Sequence, residues 1–258
     1  MKILAVILIC LIPAVSYAGN HANSPLPSFD LSTGKLPKKY NGHNLQLIYR
    51  DLAKIQSKIS KSEFENTVDH ASRVGKIKNK LKLAALPLNS TFAFKVKDLT
   101  YTYDADQETF DLTLDTQSVR DDRNQIVDSR VSVEGFKVRT SHGQYPASNA
   151  FGATVLVNKY EIESVNLMPA NPRNFSKTYS IPKINPSNAS NLSKNVAAII
   201  IYQIDNLNLY GGILYGKATF VDPTDFLGTT YYIEAEIKDI WIYDYLTGDI
   251  LLKASNQQ

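Results

Sequence analysis

Three carboxylates, Asp104, Asp106 and Asp111, crowd one short stretch, LTYTYDADQETFDLTLD. Asp104 and Asp106 sit at a bend, where two acidic side chains can share a calcium ion. A calcium loop of the EF-hand kind spaces its oxygens regularly, carries a central Gly and ends on Glu. Here there is no Gly, and Phe110 falls among the ligand positions. The competing reading is a hairpin bend whose Asp side chains accept from nearby amides. A second acidic pair, Glu234 and Glu236, alternates along a predicted strand, about 7 Å apart by strand rise. Glycosidase carboxylates work at such separations. Solvent-facing Glu on a one-sided strand shows the same pattern.

The remaining residue types offer less chemistry. His142 stands in SHGQYP, a loop by composition, and His43, His70 and His142 have no ligand spacing. There is no GxSxG turn and no P-loop. Gly211-Gly212 and Gly216, beside Tyr210 and Tyr215, read as bends or bulges in strands rather than a phosphate cradle. Tyr is abundant, at 15 residues. Tyr101, Tyr103, Tyr232 and Tyr245 are the ligand-binding candidates, since exposed rings stack on sugars or anchor a protein partner. Cross-strand packing is the competing use, for these and for Tyr231, Trp241 and Tyr243. Arg73, Lys76, Lys78, Lys80 and Lys82 form either a basic face for anionic lipid, polysaccharide or an acidic partner, or a solvated helix end whose lysines suit the dipole. No Trp or Phe insertion face accompanies them.

These residues must be held by elements, and the chain announces several. MKILAVILICLIPAVSYAG has Lys2, an apolar run from Ile3 to Ile12, and small residues at Ser16 and Ala18. It reads as a signal peptide, 1–18, too short to span a bilayer. Cys10 is the only cysteine and leaves with it. Ile9 before Cys10 argues against lipidation. A thiol-free exported chain must hold together by its core, and a single domain of this length buries roughly 70–75% of its chain surface. The formal charge is +3, counting Lys2, too small to predict nucleic-acid binding. The sequons at Asn89, Asn174, Asn188 and Asn191 count only in a eukaryotic secretory route.

Residues 19–43, polar and carrying Pro25, Pro27 and Pro37, read as an extended arm with no core of its own. Residues 44–86 read as two amphipathic helices. Leu45, Ile48, Leu52, Ile55 and Ile59 mark the first stripe. Ser62 and Glu65 form a capping box for the second, whose stripe is Phe64, Val68, Ala71, Ile77 and Leu81. From residue 87 to 258 the period changes to two, giving a β-rich domain with a Pro/Asn/Ser-rich loop at 169–195. Gly135 reads as a bulge. Ile240-Trp241-Ile242-Tyr243 is apolar on both faces and predicts burial on both. VKDLTYTYDADQETFDL echoes IKDIWIYDYLTGDIL, and both read as strand–turn–strand, with Gly248 supplying a positive φ. The predicted fold is α+β, mainly β: an antiparallel sheet, sandwich or partial barrel with an amino-terminal helix pair and two related strand–turn–strand halves.

Three short motifs carry a resemblance: Glu63-Phe64-Glu65-Asn66-Thr67 with Arg73, Tyr103 to Asp106, and Asn149 to Gly152. With them the second helix through the middle strands resembles a group of uncharacterised exported proteins of Gram-negative bacteria. The resemblance implies an envelope location and carries no catalytic residue. The expectation is an exported protein, periplasmic or secreted, with a non-enzymatic binding or envelope-structural role and no cofactor. Its partner would be another envelope protein or a glycan, not nucleic acid, and no membrane anchor would remain after signal cleavage. The alternatives are a carbohydrate-binding or carbohydrate-active protein using Glu234 and Glu236, and a Ca²⁺-assisted binding module using Asp104 and Asp106.

Overall fold

A computed structural model of the chain describes residues 26–114, 116–120, 126–131, 136–170 and 178–255. The signal segment, the first residues of the arm and the Gly135 bulge lie outside the described residues. The first apolar stripe folds as α1 (Leu45–Ala53) and α2 (Gln56–Ile59). Asn44 caps α1, its Oδ1 accepting from the Gln46 amide at 2.9 Å. Leu45, Ile48, Leu52, Ile55 and Ile59 are all buried, as their spacing predicts.

The second helix differs from expectation. α3 (Thr67–Lys78) is capped by Asn66, not Ser62. Asn66 Oδ1 accepts from the Asp69 amide (2.8 Å), and its Nδ2 donates to Asp69 Oδ2 (2.7 Å). Glu65 makes a two-pronged pair with Arg73, at 2.9 and 2.7 Å, and its carboxylate also accepts from the Ser62 backbone, while the Ser62 hydroxyl accepts from the Phe64 amide rather than that of Glu65. None of the residues of α3 is buried: Phe64, just before it, is 91% exposed and Val68 77%. A short hairpin, β1 (Lys82–Leu83) and β2 (Leu86–Pro87), follows it, where the sequence reading continued the helices to residue 86.

The β domain is built on one strand. After β3 (Thr91–Lys95) come the hairpin β4 (Leu99–Asp104) and β5 (Thr109–Leu114), the pair β6 (Thr116–Arg120) and β7 (Ile126–Val131), and the long strands β8 (Phe136–Ser148) and β9 (Thr154–Pro169). The predicted 169–195 loop instead contains β10 (Thr178–Ile181) and α4 (Pro186–Asn195). Asn185 caps α4 with Pro186 in its first turn, and Ala189 and Leu192 are buried. β11 (Val196–Gln203), β12 (Leu209–Gly216), β13 (Thr224–Asp244) and β14 (Ile250–Ser255) complete the chain. β13 is the spine. On one edge it pairs with β11 and then β12; on the other with β14 and then β9. The β9 pairing is parallel, so the sheet is mixed rather than antiparallel, and it does not close into a barrel. Both strand–turn–strand segments of the echo are antiparallel hairpins, and Gly248 has φ +80°.

Burial explains the order of layers. Along β13, Ile233, Ala235 and Ile237 face α1 and α2. A register slip between Ile237 and Asp239 resets the alternation, so that Ile240 and Ile242 keep that face while Trp241 and Tyr243 take the other. The helix side also receives Phe110, Leu112 and Leu114 of the small sheet β10-β5-β4. Tyr202 lies in this core too, and its hydroxyl has no partner among the described residues. The opposite side is covered by the arm. Phe29 meets Trp241 edge-on with centroids 5.0 Å apart, Leu36 is buried, and the Tyr243 hydroxyl donates to the Tyr40 carbonyl. The arm that looked coreless is therefore the second cover. His43 fastens it: Nδ1 accepts from the Ala93 amide at 3.0 Å, which leaves Nε2–H to donate to the Pro27 carbonyl, also at 3.0 Å. Burial pushes the His43 imidazole below its ordinary value, in keeping with that neutral tautomer. Gly42, at φ +77°, has no room for a Cβ, which would run into the Ala93 carbonyl.

The two helical stretches thus contribute differently. Leu52→Ala should lower the unfolding free energy by about 2–5 kcal/mol, whereas Val68→Ala on exposed α3 should change it by less than about 0.5 kcal/mol. Urea denaturation of both variants checks this, and equal losses would mean that α3 packs as tightly as α1.

Candidate functional site

The sequence candidates fall in three separate parts of the fold. Asp104 ends β4, and its Oδ1 accepts from the amides of Asp106 (2.9 Å) and Gln107 (3.0 Å), fixing the hairpin bend. Asp111 accepts from the Ser180 hydroxyl on neighbouring β10. Among the described residues no three His, Cys, Asp or Glu side chains are gathered so as to hold a metal ion. Tyr101 stacks on Phe110 with centroids 5.1 Å apart, and the Tyr103 hydroxyl donates to the Ile184 carbonyl at 2.6 Å.

Glu234 and Glu236 share the face of β13 turned away from the helices, and each has a partner. Glu234 accepts from Asn206 (2.6 Å) and from the Tyr210 hydroxyl (3.3 Å). Glu236 pairs with Lys238 at 2.6 Å. Tyr232 is half-buried on the same face. Tyr245 lies at the far end, in the β13–β14 turn, with Lys95 over its ring and its hydroxyl donating to Asn41 at 3.1 Å. His142, read as a loop residue, lies in β8 at a bulge and meets Glu161 at 3.0 Å. Gly211, Gly212 and Gly216 lie in β12 with no register slip, so they are neither bends nor bulges.

The basic helix end borders an open groove of about 770 Å³, lined by Ile55, Lys58, Asp69, Arg73 and Lys76. Its central cation is already committed. Arg73 bridges Glu65, the Ser60 carbonyl (3.0 Å) and the Lys58 carbonyl, tying α3 to the end of α2. That pairing holds the Glu65 carboxyl down at about 2. A guanidinium with this many internal acceptors is a strut rather than a receiver of anions.

The surface that the sequence reading missed is the far half of the large sheet. β8, β9, the first half of β13 and β12 run on past the helices as a wing. Positions paired in register share a face, and on the helix side of the wing the apolar pattern continues past the end of α1 and α2. Ile213 is 77% exposed, Tyr215 72% and Leu227 58%, with Val138 and Tyr145 exposed beside them. A hollow of about 530 Å³ opens there, with buried Val157 as its floor, Tyr145, Tyr215 and Leu227 around it, and Lys159 and Lys217 at the rim. Asp225 accepts from the Tyr145 hydroxyl and the Ala218 amide, which hold its carboxyl below the usual range; Lys159 and Lys217 add to the effect. Gly216 leaves the space that the Phe226 ring occupies. The sequence signal was present in LYGGILYG, an apolar eight-residue strand without a single charge.

If the Asp104 bend is held by its own amides, Asp104→Ala should cost about 1 kcal/mol and Asp106→Ala close to nothing. Neither the parent midpoint nor these losses should change between calcium and chelator in thermal melts; a calcium-dependent rise in the parent midpoint would assign the bend to an ion. Comparison with protein-family models, with curated proteins and with solved structures returns no match for this chain.

Proposed function

We propose that this is an exported, non-enzymatic binding module that engages another protein of the bacterial envelope through the uncovered face of the wing. One observation carries the reading: the apolar alternation of β13 and its neighbours continues after the covering helices stop, leaving Ile213, Tyr215 and Leu227 open to solvent. Exposed apolar patches of this kind mark interaction surfaces. Aliphatic side chains fit a protein partner better than a glycan, which calls for ring faces flanked by free polar groups. Here the Tyr145 hydroxyl and Asp225 satisfy each other. The committed carboxylates at Glu234 and Glu236 also favour binding over hydrolysis. Export and periplasmic residence rest on the amino-terminal pattern and on the resemblance to exported Gram-negative proteins.

A photo-reactive residue at position 227, in cells, should trap one discrete heterologous protein, and the same probe at Val68 should not. Leu227→Glu should weaken capture of that protein at least tenfold, about 1.4 kcal/mol. Identical adducts from both positions would remove the reading. Trapping of a glycan-bearing species, released by glycosidase treatment, would turn it toward carbohydrate.

A further inference from the structure

The wing has two outer edges, and they are built differently. β8 pairs only with β9 among the described residues, and it carries Lys137, Arg139, Pro146 and a bulge between Ser141 and Gln144. Charges, proline and bulges are the devices by which natural sheets blunt an edge against further pairing. β12, on the other side, pairs among the described residues only with β13 and has none of these devices: no charge, no proline, no register slip.

Which backbone groups of β12 face outward follows from Gln56. Its side chain accepts from the Leu209 amide (3.1 Å) and donates to the Leu207 carbonyl (2.7 Å), completing the edge where the strand begins. Leu209 therefore turns its backbone away from β13, and by alternation so do Gly211, Ile213 and Tyr215. No strand lies opposite these three among the described residues. The free stretch is thus centred on Ile213.

We propose that β12 pairs antiparallel with β12 of a second copy of this chain, about a two-fold axis at Ile213. The sequence is self-complementary in that register. Ile213 meets itself, Gly211 lies opposite the second copy's Tyr215, Gly212 opposite its Leu214, and Gly216 opposite its Tyr210. Gly211 and Gly216 of one strand each face a tyrosine of the other, which is how a ring fills the gap beside a strand glycine. Gly211, Ile213 and Tyr215 each spend their outward N–H and C=O, and none is left over. An uncharged edge meets its copy without like-charge repulsion, and an isologous contact closes at two, so growth stops at a dimer. The pairing joins two wings into one continuous sheet and brings the two uncovered apolar faces side by side. The pairing spends the backbone edge of β12, whereas the partner proposed above would contact side chains of the adjoining face, Ile213 and Tyr215 among them; Leu227→Glu on β13 and cross-linking at 213 read the two separately.

The test uses the whole chain carrying Cys10→Ser. Sedimentation equilibrium over a micromolar to sub-millimolar series should show mass rising toward twice that of the chain, and Ile213→Lys should hold it at one. Ile213→Cys should form a disulfide-linked dimer on mild oxidation, because a hydrogen-bonded antiparallel pair sets its Cα atoms about 5.5 Å apart, within disulfide reach. Leu227→Cys, exposed on the same face but two strands from its counterpart's edge, should not cross-link. Circular dichroism matching the parent shows that each variant is folded. A parent monomeric throughout, a dimer indifferent to Ile213→Lys, or equal cross-linking at 213 and 227 would each overturn the pairing.

Discussion

The structure depends on one short run being buried from both sides at once. Ile240 and Ile242 of β13 enter the core under α1 and α2, while Trp241 and Tyr243 enter a second, smaller core under the arm. The helices bring a stripe of apolar side chains to one face, and the arm brings Phe29, Leu36 and Tyr40 to the other. Without a disulfide in the described chain, these two burials and the ladders on either edge of β13 hold the body together. Lys253 shows how closely the layers are joined: it lies over the Trp241 ring at 3.9 Å and donates to the Thr33 carbonyl of the arm at 2.7 Å. The Lys35–Asp249 pair at 2.6 Å and the Leu36 amide on the Gly248 carbonyl fasten the same arm to the terminal hairpin.

From that arrangement the wing follows. β13 is 21 residues long, and the body covers only its second half. The first half carries β9, β8 and β12 outward with the same alternation, beyond the reach of α1 and α2. The contact between Tyr49 and Tyr231, and the Tyr49 hydrogen bond to Glu163 at 2.6 Å, mark where cover ends. Beyond them apolar side chains face solvent on a rigid sheet. Exposed apolar surface is costly to keep in water. Its placement on one face and one unblunted edge gives the molecule its two proposed interactions.

Local rules made part of this readable in advance. The 3.6-residue stripe from Leu45 to Ile59 gave the helix that covers the core, and the double-sided apolar run at 240–243 gave the buried end of the spine. The hairpin at Gly248 followed from a turn residue with an easy positive φ. What failed involved competition or distance. Ser62 and Asn66 are both good caps four residues apart, and α3 starts from Asn66, whose side chain accepts from the Asp69 amide and donates to the Asp69 carboxylate. α4 has few apolar residues, so its Asn185-Pro186 start was hidden in a polar stretch. The parallel pairing of β9 with β13 spans some sixty residues of chain, and no local period records it. The arm gives no local sign of its role, because the few apolar residues it carries suffice once they meet Trp241. The partners of the candidate carboxylates and rings come largely from other parts of the chain, Asn206 and Tyr210 for Glu234 and Ile184 for Tyr103, and no local pattern announces them.

With both its faces covered, the second half of β13 is the most stable part of the molecule. Native-state hydrogen exchange resolved by residue tests it directly. The amides of Ile240, Trp241, Ile242 and Tyr243 should exchange only through global unfolding, with protection equal to the full stability of the chain. Exchange of those amides through a smaller, local opening, at a free energy no higher than that of wing residues such as Thr229 and Thr230, would contradict it.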